Sequence, residues 1–588
     1  MKSIYKVLLM TAAVSVFTSC QSDLMDLSPE GSVSSGNMWN TENLTDLGVT
    51  GIYNTLFYGD VAKEIYKYDC LGVTSDCRDA DYNLLKGSAT ATDGQFSTYW
   101  KVHYEGIHRA NDAIKNIPIK SPVSDEKKAR LVAEAKFLRA FFYYKLNMVY
   151  KGVPLYLEPI EVDECTRGRE SEETIWNTVI EDLTACVNDA NLPDRYPAGD
   201  AGFGRATKSA AYALRGKVYM WMQNYAKAEA DFAKVGELGH SLFQGSYKEL
   251  FKEANEQSPE MVFSVQCIGL SGYGNDISFR YGSRVSFGSC WNSYLPSTDF
   301  VDSYEWADGS TFDWNDVIPG YNEMAADARA VYFFRDNMTQ AEIDKMAKDQ
   351  KADMSKYLSE GNEARIKKAY ENRDPRLTAS IITPYSQYLG ANSDKAYTYT
   401  LRWPYRGFDT SEPFDVKTDT NNRFFYLFRK FVAEGASEIP NRTYSPIDIP
   451  VIRYADVLLS RAEAINEQGF STAAIDLVNQ VRARAGVALL QNTDPSKPTY
   501  VNNQADLRER IRKERRWEFN GEGVNFFDEM RWKTWKDTKF YQGAGLKQIW
   551  GQSQYTNSWG GDYLYTWPIP SAECQMNQNL VQNEGWIN

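Results

Sequence analysis

The sequence predicts a mainly α-helical protein built from tetratricopeptide-like helix pairs, with a loop-rich insertion that contains a few short strands. Three observations carry this prediction. One long stretch places apolar residues at three- and four-residue steps. The spacing of a helix pair with small residues at its crossing occurs twice. Between the two copies lies a Gly-, Ser- and aromatic-rich region without helical periodicity.

The 588-residue chain opens on MKSIYKVLLMTAAVSVF. Lys2 and Lys6 form a basic start, and Val7 to Phe17 an apolar run of signal-peptide length, too short to span a bilayer as a helix. Thr18 and Ser19 then precede Cys20. A secretory signal ending on cysteine resembles a bacterial lipobox, in which Cys20 would become the first mature residue and carry lipid. Ordinary cleavage nearby is the alternative, but no A-x-A site competes with it. Each buried CH₂ is worth about 0.8 kcal/mol, so two or three acyl chains anchor a water-soluble body firmly. The following QSDLMDLSPEGSVSSGN is polar and reads as a tether. Its Asp23 and Asp26 resemble the surface-export signal of Bacteroidetes lipoproteins, which places the body outside the cell. No other stretch is long and apolar enough to cross a membrane.

Helices dominate the next region. YWKVHYEGIHRANDAIKNI is helical and ends before Pro118. Ser124 caps a following helix whose first turn holds Asp125 and Glu126. Leu131, Ala135, Leu138, Phe142, Leu146 and Val149 form one apolar face of it, and Gly152 and Pro154 come after its end. A further helix covers Thr174 to Val187. ALRGKVYMWMQNYAKAEADFAKV then sets Gly216, Tyr219, Ala228, Phe232 and Val235 at the offsets of a tetratricopeptide unit. The spacing returns at Ala462, Ile465, Ala474, Val478 and Val481. Residues of about 240 to 450 intervene as loops and a few strands, with one charged, helix-like stretch near Thr339 to Tyr370. The division is therefore 1–19 signal peptide, 20–38 lipidated cysteine and tether, 39–240 N-terminal helical part, 241–450 variable ligand-binding insertion, and 451–588 C-terminal helical part with a closing tail.

The formal charge is −13, which argues against a nucleic-acid partner. That field also mildly disfavours polyanionic ligands, although local arginines can override it. Aromatic residues make up 14% of the chain, with 38 Tyr and 15 Trp, and flat rings both fill cores and stack on sugars. Beyond Cys20, the cysteines at 70, 77, 165, 186, 267, 290 and 574 have no disulfide-scaffold spacing. Cys70 and Cys77 can pair in an oxidising compartment, but small buried apolar roles are the simpler reading. His103, His108 and His240 form no HExxH, and neither a G-x-S-x-G elbow nor a Walker loop is present. Asp299 and Asp302 could serve a glycosidase only at a separation the sequence does not give, and a solvated acidic loop is the simpler reading.

The helical segments now resemble a known family. IRYADVLLSRAEAIN, AAIDLVNQVRARAG, IRKERRWEFNGEGVNFFDEMRW, AEAKFLRAFFYYKLNMVYKGVPL and the closing WPIPSAECQMNQNLVQNEGW are similar to segments of SusD/RagB-type outer-membrane lipoproteins. With the lipobox, the resemblance covers nearly the whole chain. One departure is Asn525, where the family usually has an arginine; this puts one buried salt bridge in doubt. The resemblance implies a non-enzymatic role. Such a protein sits as a lid on a SusC-like TonB-dependent barrel at the outer membrane and captures oligosaccharide there. In the RagB branch the ligand is peptide, and this alternative stays open, as does a surface polysaccharide-degrading enzyme.

Candidate ligand residues follow. Asp76, Arg78 and Asp81 lie in SDCRDAD, which also holds Asp79. Arg78 with flanking carboxylates can hydrogen-bond sugar hydroxyls, and the resemblance implies that this region is often used for ligand. A structural calcium held by Asp76, Asp79 and Asp81 is the alternative, but the spacing is not that of an EF-hand, and no cofactor is otherwise expected. In the insertion, Trp291, Tyr294, Trp306, Trp314, Tyr321, Trp403 and Tyr405 all lie near Gly, Pro, Asp or Asn, where loops expose side chains. Each alone is more often core, yet one or two are expected to face ligand. Trp100, Trp517 and Trp532, within helical segments, are expected to be core.

Overall fold

Ser124 Oγ accepts the backbone N–H of Lys127 at 3.3 Å and so starts a buried helix of 26 residues. The structure, a computed structural model, describes residues 37–79, 82–407, 411–418 and 423–587; the signal segment, Cys20 and Asp81 lie outside these. Helices α1 (Glu42–Tyr53), α2 (Gly94–Lys120), α3 (Asp125–Tyr150), α4 (Glu172–Asn188), α5 (Lys208–Trp221) and α6 (Tyr225–Glu237) precede the insertion. After it come α7 (Tyr454–Gln468), α8 (Thr472–Ala485), α9 (Gln504–Glu518) and α10 (Asn525–Trp532). Thr41, Ser171, Thr207, Asn224 and Ser471 cap helix starts as Ser124 does, each accepting an otherwise orphaned N–H.

From α2 to α6 each helix packs on the next, and α6 then packs on α7. The two repeat units, separated in sequence by the whole insertion, are therefore neighbours in one helical array. Gly216 permits the α5–α6 approach: a Cβ there would lie 2.7 Å from the Phe232 ring. Paired side chains fix the helices as well. Arg139 on α3 grips Asp182 on α4 through two bonds of 2.8 Å and also donates to Asn111 on α2. Arg215 on α5 grips Asp231 on α6 at 2.7 Å. Lys217 on α5 pairs with Asp456 on α7.

Two helical expectations need correction. The helix expected to stop before Pro118 runs through it to Lys120. Proline removes the N–H that would bond the carbonyl four residues back, but only Ile119 and Lys120 follow it in the helix; just upstream, the Asn116 amide donates to the Asp112 carbonyl at 2.9 Å. The charged stretch near Thr339 to Tyr370 is not one helix. A capping box between Thr339 and Glu342 starts a helix at Gln340–Gln350, Lys351 ends it in a left-handed conformation, and a second helix occupies Asn362–Lys367.

The strands are β1 (Ser75–Cys77), β2 (Met261–Val265), β3 (Tyr294–Pro296), β4 (Ile381–Ile382), β5 (Gln387–Asn392), β6 (Lys395–Thr400), β7 (Phe414–Asp415), β8 (Leu427–Phe428) and β9 (Ile449–Arg453). β1 pairs antiparallel with β3, β2 with β9, β4 with β8 and β5 with β6, while β7 adds parallel to β6. β1–β3 and β2–β9 join the insertion to segments on either side of it, while β5 and β6 form a local hairpin.

A buried ion-pair network makes the strongest tie. Arg453 meets Glu260, Glu518 and Glu522; Arg376 meets Asp374, Glu514 and Glu518; Arg484 meets Glu260 and Glu518; Arg482 meets Glu305 and Glu514; and Lys430 meets Glu522. Glu260, Glu305, Asp374, Arg376 and Lys430 belong to the insertion, the others to the C-terminal part. At Asn525 the neighbouring Asp528 keeps its cations. Asp528 pairs with Arg515 at 2.7 Å and Arg531 at 3.4 Å, and the Asn525 amide donates to the Phe519 carbonyl.

The described cysteines are free thiols, so Cys70 and Cys77 do not pair; both are buried, and the Cys70 thiol donates to the Lys67 carbonyl. Trp100 and Trp517 are core, while Trp532 is half-buried and donates to Glu463 at 2.8 Å. No helix among the described residues is long and apolar enough to cross a membrane.

Candidate ligand-binding face

Trp291 is carried by a loop zipped along a short helix, Ile277–Tyr281, and the turn after it. Cys290 N–H donates to Ser283 O, Trp291 to Phe279, Asn292 to Gly282 and Ser293 to Arg280, at 2.7–3.1 Å. Gly282 is required there, because a Cβ would lie 2.6 Å from Ser278 O and 2.9 Å from Cys290. Ser289 and Asn292 adopt left-handed backbone conformations, which non-glycine residues keep only when the surroundings hold them. The Asn292 amide donates to the Thr418 carbonyl. So fixed, the indole packs against Phe279 at a tilt of 47°, ring centroids 4.9 Å apart, and remains 44% exposed.

Arg78 follows β1 on the same face. Its N–H donates to Ser293 O at 2.9 Å, and its guanidinium bonds the Trp291 carbonyl and both oxygens of Asp79. Asp79 is held below the ordinary carboxylate range by the Arg78 bond first, then by the charges of Arg78, Arg423 and Arg284. Arg442 lies over Phe279 and donates to the carbonyls of Gly288 and Ser289. Beyond it, Asn275 bridges Ser445 and leads into a tight loop that presents Ile268, Leu270 and Tyr273 to solvent. Sequence reasoning missed Phe279, Arg442 and Tyr273. Only the density of Gly and Ser around them marked this as a loop face.

The other predicted residues go elsewhere. Trp306, Trp314, Tyr321 and Trp403 join one internal aromatic chain rather than a surface. Trp306 meets Phe312 at 5.3 Å, Phe312 meets Trp314 at 5.2 Å, and Trp314 stacks on Tyr321 at 4.6 Å and meets Phe333 at 5.7 Å. Phe333 then meets Trp550, which meets Trp403. Trp314, Tyr321 and Trp403 are buried, and Trp306 is partly so. Trp314 also donates to Asp302 at 2.9 Å; burial lifts that carboxyl to about 7. Tyr294 is buried beside Tyr66 and shares a hydroxyl bond with Tyr82. Tyr405 is half-buried. Asp76 is buried and pairs with Lys539 at 2.8 Å, while Asp79, half exposed, engages Arg78. Among the described residues no group of three or more His, Cys, Asp or Glu could hold a metal.

Two other concavities compare poorly. A groove of about 1110 Å³ runs beside α2, but its tryptophan, Trp100, is only 5% exposed. A cavity of about 90 Å³ between α3, α5 and α10 is walled by Lys145, Lys217, Tyr68 and Phe527. That is room for a few waters rather than a sugar.

The SusD family profile matches residues 259–586. A second profile, described as starch-binding associating with outer membrane, matches residues 23–220. A SusD-like protein of Formosa agariphila is 24% identical over 590 residues, covering 97% of this chain and 96% of that one. The crystal structure of a SusD-like protein from Bacteroides fragilis aligns with a TM-score of 0.72 at 24% identity, covering 95% of this chain and all 100% of that one. A laminarin-binding SusD-like protein aligns with a TM-score of 0.63 at 22% identity, covering 93% and 100%. On the profile match, which spans more than half its length, this chain belongs to the SusD family.

Proposed function

We propose that this protein is a surface lipoprotein of the outer membrane that captures oligosaccharide on the Trp291 face and delivers it to a SusC-like TonB-dependent transporter, without breaking a bond. Cys20 would carry the anchoring lipid. The observation behind the reading is an exposed indole, pinned by loop hydrogen bonds, backed by Phe279 and flanked by guanidiniums. A sugar's C–H face stacks on such a ring while polar neighbours select its hydroxyls. The laminarin-binding structural relative and the starch-binding description of the second profile support a glycan rather than another ligand.

Affinity electrophoresis of residues 21–588 against plant, host and microbial polysaccharides tests this. We expect a defined subset to retard the protein. Trp291→Ala should weaken that binding roughly tenfold, about 1.4 kcal/mol, with the melting temperature unchanged. Trp314→Ala should instead lower the melting temperature. Competition by oligopeptides but not by sugars would replace the glycan reading with peptide uptake, and release of reducing ends would replace it with an enzyme.

A further inference from the structure

The cavity of about 90 Å³ between α3, α5 and α10 carries in its wall the cations Lys145, Lys217 and Arg531 and the carboxylates Glu522 and Asp528. All of these charges but one are matched. Lys217 and Arg515 hold Asp456, Arg515 and Arg531 hold Asp528, and Arg531 also holds Glu463. Those three cations and three carboxylates form a closed set. Glu522 belongs to the larger network, where it meets Lys430 and Arg453. The hydroxyls of the wall are spent as well. Ser460 donates to Asp456 and accepts from Arg515, both at 3.1 Å, and Tyr68 donates to the Asp60 carbonyl at 2.7 Å. Lys145 is the charge left over. Among the described residues its ammonium makes no hydrogen bond and no ion pair, and it faces the Phe527 ring at 4.2 Å and the Tyr68 ring at 5.3 Å, both in the cavity wall. A wider groove of about 620 Å³ adjoins the cavity across Met220, Trp221 and Arg531, which line both.

We propose that this cavity binds a small monoanion, of the size of chloride or formate, as the counter-ion of Lys145. A cation taken out of water needs a partner of opposite charge, and aromatic rings offset only part of that cost. The cavity is short of acceptors and not of donors. Lys145 keeps all its N–H groups, and Lys217 spends one on Asp456. Neither lining carboxylate is open to Lys145, because Asp528 and Glu522 are each tied to two other cations. Volume sets the class of ligand: space for a few waters admits a halide or formate and shuts out a sugar acid. Burial first, and the charge of Lys217 second, favour the neutral amine. An anion beside it favours the ammonium, so the ion and the proton bind together. Held there, the ion would link Lys145 on α3 to the Phe527 end of the array on α10.

The test is thermal unfolding of residues 21–588 in sodium chloride and in sodium gluconate at equal ionic strength, gluconate being too large for the cavity. At about pH 6 the midpoint should lie at least about 1 °C higher in chloride, and at about pH 9, where the amine is neutral, the difference should vanish. Lys145→Met should show no difference at either pH. Crystals soaked in bromide give a readout that needs no variant: an anomalous peak should appear within about 3.5 Å of the Lys145 Nζ. A chloride gain that persists in Lys145→Met, or that is equal at the two pH values, would overturn the inference, as would no gain at all. A bromide peak without a chloride gain would mean an adventitious ion only and would overturn it too. Each of these results leaves the glycan reading, which rests on the Trp291 face, where it was.

Discussion

Lys145 on α3 holds its ammonium 4.2 Å from the centroid of Phe527 and 5.3 Å from that of Tyr68, on the wall of the small cavity. Two ring faces offset part of the cost of burying a cation, but among the described residues no carboxylate pairs with it. Burial, with some help from Lys217, pulls the amine down to about 7. In the unfolded chain it titrates near 10.4. Between these values the unfolded state holds a proton that the folded state has released, so stability rises with pH across that window. Below about 7 both states are charged and the folded one carries the full penalty. Lys145→Met, close in volume, should therefore raise stability at about pH 6 by about 1 kcal/mol or more and flatten the rise toward about pH 9, read by urea denaturation at each pH. At the same scale, Trp291 and Trp314 stood in similar polar, turn-rich contexts in the sequence. What separates them is tertiary: Asp302 and Tyr321 receive Trp314 inside, while Phe279 packs at a tilt against Trp291, which stays 44% exposed.

Helix pairing explains why two glycines should respond oppositely to substitution. At Gly216 on α5 an added Cβ meets the Phe232 ring on α6 at 2.7 Å, whereas at Gly51 on α1 nothing lies within 4 Å. Gly216→Val should destabilise by roughly 1–3 kcal/mol through overpacking. Gly51→Ala should stabilise by about 0.5 kcal/mol through helix propensity. Thermal unfolding of the pair checks both signs in one assay. This is also the scale at which the sequence was most legible. Ser124 as a cap, the Leu131 to Val149 face and the Gly216 and Ala228 crossing are local patterns, and each recurs in the structure. The course of the helix through Pro118 and the break at Lys351 were not legible, because proline ordinarily ends a helix and lysine ordinarily continues one. The packing of α6 on α7 was hidden for a different reason. Periodicity reports what one segment buries, not which segment covers it.

Across the whole molecule the buried arginines and glutamates decide the response to acid. Burial alone would raise the Glu518 carboxyl, but Arg484, Arg453 and Arg376 outweigh it and hold it below the ordinary range. A carboxylate lowered in the folded state contributes stability that is full above its unfolded value, near 4.3, and is lost as the pH falls further. The contribution of Glu518 should therefore be lost progressively as the pH falls below about 4.3. Arg453→Met removes the cation shared by Glu260, Glu518 and Glu522, leaving them to Arg484, Arg376 and Lys430, and should cost about 3–5 kcal/mol at neutral pH. Its acid limb should be shallower, because the carboxylates it leaves behind gain from protonation. Urea denaturation across the pH range reads both effects. The motifs that carry these charges were visible in the sequence as family segments, but their partners in the insertion, Glu260, Glu305, Asp374, Arg376 and Lys430, were not.

The contact of α6 with α7 also bears on how such a chain is made and varied. During synthesis the N-terminal helices emerge with one flank uncovered, and that flank waits for Tyr454–Gln468 to arrive after the whole insertion. Joining the ends of a long excursion costs little more than joining those of a shorter one, about 0.6 kcal/mol for each doubling of length. The array therefore tolerates insertions of very different size between the same two helices. A replacement must still bring carboxylates to the places of Glu260 and Glu305 and cations to those of Arg376 and Lys430. Provided it does, the surface it displays can be exchanged for one that reads another ligand.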